Sequence, residues 1–402
     1  MSTGGLSGER LGRMKAVLAG HVEQGKVPGL VAAVSRRGEV HVEVLGTKTA
    51  GGDDPVERDT VFRIASMTKP ITAVATLILV EEGRLSLDEP VDGLLPEMAD
   101  RRVLRRPDGP LDDTVPAQRP LTTRDLLIYV MGFGIVFAPP GTYPIQQATD
   151  ELLLGQGAPN PSVPPAPDEW IRRLGTLPLL HQPGDRWMYH TGSDVLGVLI
   201  ARIAGQPFET FLRERIFEPL GMKDTGFSVP QGQSHRLPTS YGINFDTGEP
   251  AIYDPPDGQW SRPPAFPSGG GGLVSTADDY LAFGRMLLNG GKLHGRRILS
   301  RPAVELMTSD QLTPAQKAAS TFEPGYWDTH GWGFGVAIVT GRHDLWAPVG
   351  RYGWDGGLGT SWASDPSEDL VGVILTQQAF TSARLPAICR DFWACAYAAI
   401  DD

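Results

Sequence analysis

A chain of 402 residues exceeds the roughly 250–300 at which one hydrophobic core stops growing, so two lobes are expected. With 41% apolar and 21% charged residues, the composition is that of a globular protein and excludes disordered and fibrous classes. The 36 Lys and Arg against 47 Asp and Glu leave a net charge of -11, which excludes the basic stripe that counterion release on nucleic acid requires.

The opening MSTGGLSGERLGRMKA has no apolar run and carries Glu9 where a signal peptide would carry leucines, so a cytoplasmic protein is the expectation. From Gly8 to Gly25, Leu11, Met14, Val17, Leu18 and Val22 follow an i, i+3, i+4 spacing that predicts an amphipathic helix covering a sheet. LVAAVSRRGEVHVEVLG then places two β-rich runs around Arg36-Arg37-Gly38 and reads as a hairpin. Between Ser66 and about Met286 the readable elements are mostly helices: TAVATLILVEEG, LTTRDLLIYV, DEWIRRLGTL, SDVLGVLIARIAG, FETFLRERIF and TADDYLAFGRMLLNGG. The first contains Ile71 to Val80, the longest stretch near the N-terminal third free of charge and turn residues. It is half of the roughly 20 residues a membrane-spanning helix needs, so no transmembrane segment is expected.

Long Pro/Gly-rich segments at 103–120 and 138–168 divide these helices, and connections of that length are usually lids or pocket walls when they are ordered. TSWASDP and LVGVILTQ read as two further strands, followed by the helix RLPAICRDFWACAYAAI. On that helix Cys389 and Cys395, six positions apart, point in different directions, so they read as two small hydrophobes rather than a disulfide. Together the elements predict an α+β fold: an antiparallel sheet from 1–65 and 325–402 flanked by terminal helices, and a mostly helical second domain from 66–324 with long pocket loops.

Several chemical signals are absent from the sequence. It has no G-x-G-x-x-G, no Walker loop, no H-E-x-x-H, no clustered His/Cys set and no G-x-S-x-G, so neither a nucleotide cofactor, a metal nor a nucleophile elbow is expected. What remains is Ser66-x-x-Lys69 at the start of an apolar helix. Three positions apart on one helix face, a hydroxyl and an amine lie close together, and an amine in apolar surroundings loses its charge more easily. A neutral lysine can then take the serine proton. The tetrad alone is weak, since Ser66 as a helix cap and Lys69 reaching to solvent describe it equally well.

Context adds a resemblance. VFRIASMTKPITA resembles the active-site helix of the serine β-lactamase and penicillin-binding protein superfamily, in particular the class C β-lactamase-like branch and its family VIII carboxylesterases. LTTRDLLIYVMGFG, PGDRWMYHTGSDVLGVLIARIAG, FEPLGMKDTGF, GGGGLVSTADDYLAFGRMLLNGG and RYGWDGGLGTSWASDP follow in that family's order, from about Leu11 to the C-terminus. The likeness places the family's Y-x-N tyrosine at Tyr189 and sets Trp354-Asp355-Gly356 where lactamases carry K-T-G.

The resemblance implies that Ser66 attacks an acyl carbonyl while Lys69 and Tyr189 shuttle its proton, with a phenolate made accessible by the neighbouring ammonium. It also implies an oxyanion hole from the backbone N–H groups of Ser66 and Gly357, and a close strand approach at Gly356 and Gly357. Taken by themselves, Tyr189 reads as a core aromatic and Gly269 to Gly272 as a tight backbone crossing, while Trp354 reads as a pocket wall with an edge-strand aromatic as the alternative. His190 is expected to turn away from the Tyr189 side, because residues alternate along an extended segment.

Two departures bear on substrate. Thr191 stands where the motif has asparagine and lacks an amide, and Trp354 replaces the lysine that holds a substrate carboxylate in lactamases. The expectation is therefore a serine esterase for small neutral esters, without cofactor, metal, nucleic-acid or membrane partner. An acyltransferase, an amide or β-lactam hydrolase and a penicillin-binding sensor that acylates and stalls are the alternatives. The oligomeric state is not legible.

Overall fold

The computed structural model describes residues 4–244, 247, 249–320 and 322–402. Helix α1 (Gly8–Glu23) is capped by the Ser7 side chain, which accepts from the Arg10 N–H, and it buries Leu11, Met14 and Leu18. The chain then forms strands β1 (Gly29–Arg36) and β2 (Glu39–Gly46), an antiparallel hairpin turning at Arg37 and Gly38, both at positive φ. Far along the chain come β3 (His330–Trp332), β4 (Ala337–Val339), β5 (Tyr352–Gly356), β6 (Thr360–Asp365) and β7 (Leu370–Thr376). They assemble in the order β3-β4-β5-β6-β7-β1-β2, with every neighbouring pair antiparallel.

Alternation along β1 and β7 sorts the side chains between two layers. Leu30, Ala32, Val34 and Ile374 meet α1 and the C-terminal helix (Ala387–Ala398) through Met14, Leu18, Phe392 and Trp393. Val31, Ala33, Val371 and Val373 face the opposite way, into the larger core that holds Tyr280, Phe283 and Trp362. Cys389 is buried, Cys395 half-buried, and both are free thiols.

Beyond the sheet lie two helices, α2 (Thr68–Glu81) and α3 (Thr191–Ala204), each apolar on nearly every side and buried over most of its length. A helix apolar all round is stable only inside a core. A third, α4 (Ala277–Leu288), starts from the Thr276 cap and bridges this region to the sheet. Among the described residues, no single helix is long and apolar enough to cross a membrane.

The two long segments are ordered. Residues 103–120 contain most of a short paired ribbon, Arg102–Leu104 with Thr114–Pro116, and 138–168 contains the helix Pro144–Glu151.

Candidate active site

The turn that presents Ser66 is built by a strand that stops abruptly. Phe62 and Arg63 pair with Ser275 and Val274, and the Ile64 N–H donates to Leu273 O at 3.0 Å. Ala65 then takes φ +42°, a left-handed conformation that costs a residue with a Cβ roughly 1–3 kcal/mol and persists only where the surroundings impose it. Three contacts impose it here. The Leu273 N–H donates to Thr68 Oγ1 at 3.1 Å, Tyr280 donates to Met67 O at 2.7 Å, and Gly356 on β5 lies flush against Ile64 O, where a Cβ would come within 2.2 Å. Ser66 sits at the centre of the resulting 3-10 turn over Ala65–Met67, and α2 has no side-chain cap, so capping is not what this hydroxyl does.

The Ser66 Oγ lies 3.0 Å from Lys69 Nζ, and the Ser66 hydroxyl also hydrogen-bonds the Tyr189 phenol. Lys69 is wholly buried and does not reach solvent. Its amine donates to Gly270 O, lies 3.1 Å from His190 Nδ1 and stands 4.3 Å above the Tyr189 ring. Burial pushes its pKa down from 10.5 to about 7, against the upward pull of the Asp194 carboxylate. The amine is therefore substantially neutral at physiological pH.

Tyr189 behaves in the opposite sense. Burial holds its phenol above the ordinary value, although bonds from Ser66 and Trp354 favour the charged form. Burial thus favours the neutral form of both groups, against the expected phenolate beside an ammonium. The Trp354 indole, which is donor only, gives its N–H to the Tyr189 oxygen at 2.7 Å. Trp354 lies on an interior strand between β4 and β6, and the edge-strand reading does not hold.

His190 is the principal correction. Extended alternation turns it away, but the segment is not extended: His190 has φ +89° and ψ −65°, and the Thr191 N–H donates to Tyr189 O at 3.3 Å. These are the marks of a classic γ-turn, a rare and strained conformation. The reversal brings two consecutive side chains, Tyr189 and His190, to the same lysine. Behind His190, its Nε2 meets Asp194 Oδ2 at 3.1 Å, and Asp194 Oδ1 accepts from Ser268 Oγ at 2.7 Å and Gly270 N at 2.9 Å. Burial and the nearby Lys69 hold the His190 pKa below its usual value, so the imidazole is neutral.

The glycine run is a tight crossing, as its sequence suggests, and it also supplies a ligand. A Cβ on Gly269 would lie 2.4 Å from Ser193 O and one on Gly270 2.8 Å from the His190 ring, and the closeness lets Gly270 O reach Lys69. Gly357 follows β5 at a point where an added Cβ meets nothing within 4 Å, while Gly356 is hemmed in by backbone. Thr191 is buried, and its hydroxyl donates to Gln156 Oε1 at 2.6 Å, tying the 138–168 segment to the start of α3.

On the other side, Phe137 stacks on Tyr189 with centroids 6.3 Å apart. Ile135, Val136, Phe137, Tyr143, Trp187 and Tyr189 line a cavity of about 150 Å³. Among the described residues, no group of three or more His, Cys, Asp or Glu side chains is placed to hold a metal ion.

Residues 14–388 match the sequence model of the family described as Beta-lactamase. The chain belongs to the beta-lactamase family. It is 40% identical over 362 residues to Protein Rv1367c of Mycobacterium tuberculosis, covering 88% of this chain and 87% of that one. Esterase EstB of Burkholderia gladioli is 31% identical over 397 residues, with 92% and 90% covered. Among solved structures, "EstCE1, a hydrolase with promiscuous acyltransferase activity" superposes with a TM-score of 0.77 at 25% identity, covering 97% of this chain and 99% of that one. The beta-lactamase-like fold, with its seven-stranded antiparallel sheet, and the coarse class of serine hydrolase follow from these matches.

Proposed function

We propose that the protein is a carboxylesterase that cleaves small neutral esters through an acyl-enzyme on Ser66. The observation that carries this reading is the position of the Ser66 hydroxyl, bonded at once to a lysine with a pKa of about 7 and to a phenol oriented by Trp354.

Lys69 takes the Ser66 proton as Oγ attacks the ester carbonyl carbon. The carbonyl oxygen, now negative, accepts from the N–H groups of Ser66 and Gly357, an interaction worth about 2.7–4 kcal/mol per donor. Tyr189 passes its proton to the departing alkoxide and recovers one from the Lys69 ammonium, so the alcohol leaves neutral and the acyl group stays on Oγ. Water then attacks the acyl carbonyl and repeats the transfer in reverse, restoring Ser66 and releasing the acid.

Substrate preference rests on the walls. Trp354 offers an indole where related lactamases place a lysine, so a substrate carboxylate meets no cation there. Phe137, Trp187 and Tyr189 instead line the neighbouring cavity with aromatic side chains that suit an apolar acyl or alcohol group. The likeness to EstCE1 favours one second reading, in which an alcohol rather than water takes the acyl group.

One assay tests both. Wild type and Ser66→Ala are given short-chain p-nitrophenyl esters or nitrocefin, with and without added alcohol. Steady p-nitrophenol release by wild type alone, with little nitrocefin turnover, is the expected result. A new ester formed with the alcohol identifies transfer. Ester turnover that survives in Ser66→Ala removes Ser66 from the reaction, and a single stoichiometric burst marks a sensor that stalls.

A further inference from the structure

We infer that His190 and Asp194 form a positioning pair that holds the neutral Lys69 amine with its lone pair facing the Ser66 hydroxyl, and that the γ-turn at His190 exists to make this arrangement. The inference rests on the serine-hydrolase reading of the site and adds to it a residue pair outside the Ser66, Lys69 and Tyr189 set.

The Asp194 carboxylate, acceptor only, lies 3.1 Å from His190 Nε2, so a neutral imidazole carries its proton on Nε2 and offers Nδ1 as a bare acceptor. Nδ1 lies 3.1 Å from Lys69 Nζ, and the second acceptor at that nitrogen is Gly270 O, which has no proton to give. A neutral amine has two N–H bonds and one lone pair. Nδ1 and the carbonyl take the two N–H bonds, and the remaining tetrahedral direction, occupied by the lone pair, is the one toward Ser66 Oγ at 3.0 Å.

The opposite tautomer, with a proton on Nδ1, would compete for that lone pair and turn it away from the nucleophile. Asp194 excludes it, and Asp194 is itself fixed by Ser268 and the Gly270 N–H. One carboxylate thus sets both acceptors, the imidazole directly and the carbonyl through its own loop.

The geometry explains two further features. A buried aspartate two bonds removed from the reacting atoms is costly unless fully satisfied, and each of its contacts is directed to this loop or to His190. The strained φ of +89° at a non-glycine residue persists although glycine there would remove the strain. Among the described residues, the groups that bond or act on the amine are Ser66, Tyr189, His190, Asp194 and the Gly270 carbonyl, and the Asp355 charge on β5 acts on Tyr189.

The test uses the rate at which a fluorophosphonate, a serine-directed probe needing no knowledge of the natural ester, labels the full-length protein between pH 5 and 9. Asp194→Asn is expected to slow labelling about tenfold or more. It is also expected to lower the midpoint of the acid limb by about one pH unit, because the carboxylate that raises the Lys69 pKa is gone. His190→Leu, which deletes the acceptor, slows labelling similarly, and His190→Asn, whose amide oxygen can occupy the Nδ1 position, recovers most of the rate.

Circular dichroism and thermal unfolding identify folded variants, and the leucine and asparagine pair keeps the test open if Asp194→Asn does not fold. An Asp194→Asn protein with an unmoved midpoint and wild-type rate, or a His190→Asn protein as slow as His190→Leu, overturns the inference. Labelling that persists in Ser66→Ala instead overturns the reading of Ser66 as nucleophile, a distinct result.

Discussion

Replacing Gly356 by alanine isolates the contribution of the strand-to-turn contact. The new Cβ would stand 2.2 Å from Ile64 O and 2.2 Å from Thr360 Oγ1. The threonine cannot simply rotate clear, because its hydroxyl already donates to Ile64 O at 3.3 Å and the residue is fully buried. Since contacts under 3.0 Å are not tolerated, β5 and the Ile64–Ser66 backbone must separate by about 0.8 Å. Displacements near 1 Å at a reacting centre cost about 100-fold in rate, and overpacking costs about 1–3 kcal/mol of stability.

Gly356→Ala is therefore expected to lower kcat/KM for a p-nitrophenyl ester about 100-fold while leaving a folded protein. Gly12→Ala is the matched control: on α1, in the layer on the other face of the sheet, its Cβ meets nothing within 4 Å, and it should stay within about threefold of wild type. Wild-type kcat/KM in Gly356→Ala, or equal losses in the two variants, would refute the claim that this contact positions the nucleophile.

Two other outcomes follow. The kcat/KM for ester cleavage should rise with pH through a limb centred near 7. Lys69 must lose its proton to act as base, and neither Tyr189, held above its ordinary range, nor His190, held below, titrates in its place. A profile flat from pH 5 to 9 contradicts that assignment. Asp254→Ala should destabilise the protein by about 3–5 kcal/mol in urea unfolding, because it strands the buried Arg63 guanidinium just upstream of Ser66. An unchanged midpoint and slope would mean that the bonds from Arg63 to Pro238 O and Pro255 O suffice.

What could be read in the sequence is what depends on short-range pattern. The tetrad, the apolar helices around it, the hairpin at Arg37-Gly38 and the two strands before the C-terminal helix all carry local periodicity or turn residues. β3 and β4 went unread because each is three residues long within the glycine-rich HGWGFGVAIV and shows no alternation. The helix at Pro144–Glu151 escaped because its N-cap is Tyr143 and not Ser, Thr, Asp or Asn; Gln146 closes its start by accepting from the Tyr143 N–H.

His190 was hidden for a different reason. Its direction depends on a φ that no propensity favours and that the surrounding fold imposes. The balance between Lys69 and Tyr189 was equally out of reach, because burial decides it and burial is a property of the finished fold.

The close fit of Ile64 against Gly356, and of β1 against β7, joins stretches about 300 residues apart. During synthesis on the ribosome, Ser66, Lys69 and Tyr189 all emerge long before the strand that braces the nucleophile, so a half-made chain carries the reactive groups without the frame that aims them. A chain that ends before β5 therefore lacks the contact against Ile64 that shapes the turn at Ser66.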